Sequence, residues 1–116
     1  MDIDYARTIA LEAYTRQDAT WVIHEVERIV SENHNWITDF RKYSKFLVSF
    51  IIETEPVNIL KLAEAIAALD MKIYPDNFSI EIAELQQHIR PKDVEVNLAL
   101  TIHFIQDQMD FREKGD

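Results

Sequence analysis

Apolar residues recur at helical spacing along most of the chain. Residues 4–16 predict a first helix: Asp4 stands at its N-cap, and Ala6, Ile9, Ala10 and Ala13 form a small-residue stripe. Asp18 can cap a second helix over 19–33. At roughly 100° per residue, Val22, Ile23, Val26, Ile29 and Val30 share one face there, with His24, Glu27 and Arg28 opposite. Asn33-His34-Asn35 ends it, and Asn35 can cap the next element. The stretch 36–54 has the densest apolar content. Trp36, Ile37, Phe40, Tyr43, Leu47, Val48, Phe50 and Ile51 fall on one broad helical face, which predicts a helix at the centre of a bundle. Glu55-Pro56 breaks the chain, and a fourth helix over 56–70 buries Ile59, Leu62, Ala63, Ile66 and Leu69. Tyr74-Pro75-Asp76-Asn77 marks a turn within a loop at 71–79, and a fifth helix follows over 79–89.

The stretch 92–113 fits two templates. Val94, Val96, Leu98, Leu100, Ile102 and Phe104 alternate strictly, which is a strand signal. Val94, Leu98, Ile102, Ile105 and Met109 also keep helical spacing, and Pro91-Lys92-Asp93 suits a helix start. The helix is preferred because the strand has no glycine-rich turn to reach a partner. Read as a helix, it carries a second apolar stripe of Val96, Leu100, Phe104 and Phe111, open to a partner chain. The expected fold is all-α: one domain over 1–116, with five to six short helices packed around the helix at 36–54. The alternative is an α+β fold with 93–105 as a strand.

Composition supports the helical reading through glycine. The only one is Gly115, and tight hairpins usually need glycine or asparagine at positive φ. The same count removes every glycine-dependent phosphate-binding loop and the nucleophile elbow. The 116 residues suit a single core. There are no cysteines, so disulfides, thiolate metal sites and cysteine nucleophiles are excluded, and a cytoplasmic location is compatible. The start Met1-Asp2-Ile3-Asp4-Tyr5 does not read as a secretory signal, and no apolar run approaches the roughly 18 residues of a membrane span.

The net charge is −9, unevenly spread. Residues 36–54 hold 2 acids and 3 bases, net +1, while residues 55–116 hold 12 acids and 6 bases, net −6. Such a surface disfavours nucleic acid and anionic membrane, and favours a basic protein. Arg41, Lys42 and Lys45 lie among acids and do not build a nucleic-acid site.

Catalytic and metal chemistry find little support. His24, His34, His88 and His103 include no pair three or four residues apart, no Glu-x-x-His pairing occurs, and His24 with Glu27, three apart in the reverse order, is on the expected solvent face. A metal protein using His24, Glu27 and His34 is therefore the third-ranked reading. No cofactor, metal or catalytic residue is assigned. The leading reading is a non-enzymatic, acidic protein-interaction module, of the inhibitor or immunity type, that neutralises a basic effector. Its expected contacts are the acids Asp18, Glu25, Glu32, Asp107, Asp110 and Glu113, with Trp21 and Tyr74 as aromatic anchors. The second reading is a structural homodimer that buries Val96, Leu100, Phe104 and Phe111.

Overall fold

The computed structural model describes residues 8–88 and 96–106, and it is α+β. A five-stranded mixed sheet carries three helices on one face. The elements run β1 (Thr8–Thr15), α1 (Ala19–Glu32), β2 (Trp36–Ser44), β3 (Leu47–Thr54), a 3-10 turn (Pro56–Asn58), α2 (Ile59–Ala67), β4 (Lys72–Tyr74), α3 (Phe78–His88) and β5 (Val96–Phe104). The strand order is β2-β3-β5-β1-β4. β5 pairs parallel with β1 and antiparallel with β3. β2 and β4 are antiparallel to their single neighbours.

The all-α expectation is thus overturned at three stretches. Residues 8–15 form β1, residues 36–54 form the β2–β3 hairpin, and 96–104 forms β5. In β5 the alternation is decisive: Val96, Leu98, Leu100, Ile102 and Phe104 are buried and the residues between them are not. β5 does not need a glycine turn, because its partners lie far away in sequence, Thr8 opposite Asn97 and Thr54 opposite Val96.

The hairpin overturns the glycine argument in another way. Ser44 pairs with Leu47 across a two-residue loop, Lys45-Phe46, and neither loop residue takes positive φ. The loop is closed by the Phe46 N–H donating to Ser44 Oγ at 3.0 Å. Two register shifts in β2, between Ile37 and Asp39 and between Lys42 and Ser44, absorb the twist that such a turn imposes. Positive φ occurs among the described residues at His34 (60°) and Asp70 (70°), so non-glycine residues carry the left-handed positions.

The helices follow their sequence signals. Asp18 caps α1 by accepting from the Trp21 N–H at 2.9 Å. α1 ends in a Schellman turn: the Asn35 N–H donates to Val30 O at 3.0 Å and the His34 N–H to Ser31 O at 3.1 Å, with His34 in the left-handed position. α1 buries Val22, Val26, Ile29 and Val30, and α2 buries Ile59, Leu62, Ala63 and Ile66. These join Leu11, Ala13, Val48, Phe50, Ile52 and the inward residues of β5 in one core. α3 contributes the buried Ile82 and is tied to the 3-10 turn by the Gln86 side-chain amide, which donates to Pro56 O.

Two outcomes test this architecture. Leu100→Ala removes a fully buried side chain from the central strand and is expected to cost about 2–5 kcal/mol. Thr101→Ala, on the opposite face, is expected to cost less than about 1 kcal/mol. Urea unfolding with unchanged slope checks both; equal costs would contradict the strand. His34→Gly relieves a left-handed residue at about 1–2 kcal/mol and loses about 0.5–1 kcal/mol to backbone entropy. A net gain of roughly 0.5 kcal/mol in the same assay is expected, and His34→Val should lose stability.

Candidate functional site

The three described helices cover one face of the sheet, so among the described residues the other face is bare. Pairing places its residues in rows. One row crosses all five strands as Arg41, Ser49, Thr101, Glu12 and Tyr74. The next holds Ser44, Leu47, His103, Tyr14 and Lys72. At the β5–β1–β4 corner these rows bring four groups into contact. Glu12 Oε1 accepts from the Tyr14 hydroxyl and from His103 Nε2, each at 3.2 Å. The His103 imidazole stacks on the Tyr14 ring with centroids 4.3 Å apart and planes 5° apart. Tyr74 meets Tyr14 edge to face at 5.5 Å. Lys72 lies 5.4 Å from the Tyr74 ring centroid and pairs with Asp76 at 3.5 Å.

The strand pattern builds this corner directly. Alternation that sends Leu11, Ala13 and Ile102 inward sends Glu12, Tyr14 and His103 outward, and the parallel register sets Tyr14 beside His103. Beyond Tyr14 the sheet ends in an open groove of about 1040 Å³, bordered by Arg16, Gln17, Asp70, Lys72, Tyr74 and Ile105. Gln17 fixes its floor: its Nε2 donates to Thr15 Oγ1 at 3.0 Å and to Leu69 O at 2.6 Å.

The cluster is polarised toward negative charge. Partial burial, the hydrogen bond to Glu12, the Glu12 charge and then the Tyr74 phenol together raise the Tyr14 pKa above its ordinary 10.0. Tyr14 is therefore a fixed donor at neutral pH. Glu12 remains more than half exposed, with a carboxylate oriented by two neighbours and an exposed ring beside it. Such a pocket of carboxylate and aromatic edge can take a cationic side chain through a charge-assisted hydrogen bond and ring contact.

The residues singled out in the sequence are scattered. Asp18 is engaged as the α1 cap. Glu25 and Glu32 both pair with Arg28, at 2.7 and 2.8 Å, so the α1 ridge is partly neutralised. Trp21 is 46% exposed on α1, and Tyr74 is 43% exposed at the corner described. Val96, Leu100 and Phe104 lie in the chain's own core, because β5 turns them under the helices; the partner-facing stripe is a correction. Asp107, Asp110, Phe111 and Glu113 lie outside the described residues. His24 and Glu27 are exposed on α1, and His34 serves the turn after it. Among the described residues no three His, Asp or Glu gather as a metal site would require, and no helix is long and apolar enough to cross a membrane. Glu12, Tyr14 and His103 were not singled out by sequence. The available signal was the strand reading of 93–105, which puts His103 on the polar face.

No family model, curated protein or solved structure matches this chain.

The Tyr14 proton gives a spectroscopic test. The fold favours the neutral phenol, so this contribution to stability is present below pH 10 and lost as pH rises through the higher folded value. Tyrosinate absorbance should show one component above pH 10 that Tyr14→Phe removes and Glu12→Ala moves downward. An unchanged curve in Glu12→Ala would contradict the coupling.

Proposed function

We propose that the protein is a non-enzymatic binding module that receives a basic protein on the bare face of its sheet. The observation that carries this reading is the Glu12 carboxylate held by Tyr14 and His103 beside the exposed Tyr74. A pre-oriented acceptor next to a rigid aromatic ring loses little freedom on binding, and Tyr is enriched among residues that dominate interfaces. The net charge of −9 adds long-range attraction for a basic partner and speeds encounter. An inhibitor or immunity-type role against a basic effector, in a cytoplasmic setting, is the specific form of the reading. It moves the recognition surface from the α1 acids, which Arg28 and the helix cap already engage, to the sheet corner.

Affinity capture from native lysate, followed by calorimetric titration of the retained protein, tests the reading. The retained protein should be basic and its binding should weaken with salt. Glu12→Lys combined with Tyr74→Ala should lower affinity by about tenfold or more, equivalent to at least about 1.4 kcal/mol. Glu25→Gln combined with Glu32→Gln should change it by less than about twofold, in keeping with the small worth of exposed ion pairs. Full affinity in the Glu12/Tyr74 variant sinks the proposal, and loss confined to the α1 variant relocates recognition to that helix.

A further inference from the structure

The outer edge of β2 offers a second surface, at the opposite edge of the sheet from the Glu12 corner. Among the described residues no strand pairs with it. The helical layer covers it only in part: Ile37 packs against the core, but every residue of β2 is exposed or half-buried, with Trp36 64%, Tyr43 60% and Phe40 40% exposed. A strand edge of this kind presents unpaired N–H and C=O groups, which another strand can satisfy.

The sequence of the edge selects the partner. In an antiparallel pair, facing residues must both turn their backbone groups toward each other or both away, and these directions alternate along a strand. A strand that pairs with its own copy about a two-fold axis must therefore place one residue opposite itself. The two register shifts confine the regular part of the edge to Asp39–Lys42, which leaves four possible centres. Centres at Asp39, Arg41 or Lys42 set a like charge against itself. A centre at Phe40 sets Asp39 against Arg41 of the second copy, and does so twice. Asp39 and Arg41 already pair within one strand at 2.9 Å, so the four charges would alternate in sign around the axis. Both residues lie on the bare face, opposite Ile51 and Ser49. Phe40 lies on the helix-covered side, against Phe50 at a centroid distance of 4.9 Å, and would cover its own symmetry mate there.

We propose that two copies of this chain associate through antiparallel β2–β2 pairing centred on Phe40, forming a ten-stranded continuous sheet. The two-fold axis runs perpendicular to the sheet, so both helical layers share one side and both Glu12 corners share the other. The interface is isologous, with each contact made twice.

A charge-swap experiment on the full chain tests this. Light scattering and sedimentation equilibrium should give a mass rising from monomer to dimer with concentration. Asp39→Arg makes all four charges at the axis positive and Arg41→Asp makes all four negative, so each variant alone should self-associate roughly tenfold or more weakly. Mixed in equal amounts, the two variants should form a 1:1 heterodimer. Phe40→Cys, in a protein without other cysteines, should cross-link under mild oxidation and Lys42→Cys should not. A wild-type chain that stays monomeric at its highest soluble concentration overturns the proposal. So does a dimer that both charge variants retain, or a mixture that fails to pair while the wild type does.

Discussion

Strand β5 fills a slot that the rest of the chain leaves open. β1 passes through α1 to β2, and β3 passes through α2 to β4, and each crossover steps over the centre of the sheet. β5 enters between β3 and β1 and makes ladders on both sides, with Leu100 facing Leu11 and Phe50. Its five inward side chains connect the core residues of the flanking strands to those of the helices. Without β5, β1 with its short neighbour β4 and the β2–β3 hairpin would be two separate two-stranded pieces. Such pieces are marginal on their own in water. Cohesion of the sheet therefore depends on non-local contacts, 89 positions apart between β1 and β5 and 42 to 56 apart between β3 and β5, which are slow to form because the loop must close first.

The same constraint explains the functional corner. Glu12 and Tyr14 come from the first described strand and His103 from the last, so their contact exists only once β5 has docked in parallel register. The side chains that form the corner are held by the alternation that builds the core: moving the register by one residue would bury Glu12 and expose Leu11. Rigidity at the site is inherited from the core. This is a sounder base for recognition than a loop, where ordering on binding would cost affinity.

The helices were legible in the sequence, and the sheet was not. α1, α2 and α3 declared themselves through 3.6-residue periodicity, the Asp18 cap, Pro56 and the Tyr74-Pro75 turn, because these signals are local. β3 concealed itself because it is apolar on both faces: Val48, Phe50 and Ile52 point inward, while Leu47 and Ile51 lie on the bare side. A run of that kind satisfies a helical face as readily as a strand. The small residues of β1 mark close helix packing as readily as a central strand. β5 shows true alternation, but its partners are non-local, so no nearby turn marks it as a strand. Of the corner, Tyr74 was visible as an aromatic in a turn. Glu12, Tyr14 and His103 had no signal of their own, since only tertiary pairing makes them neighbours.

The two ends of the sheet deal with their free edges differently, and this divides the surface into two regions. β4 is three residues long and gives a second chain little backbone to pair with, and one of the three is the charged Lys72. That edge is left to side-chain recognition around Tyr74. β2 is nine residues long and has two irregularities, which shorten its regular ladder without abolishing it. A charged edge normally repels other strands. The alternation of Asp39 and Arg41 about Phe40 makes this edge repel most registers and accept its own inverted copy in one. Charges that guard an edge against general aggregation can thus also specify a single partner, because like-charge opposition removes the wrong alignments and leaves the self-complementary one.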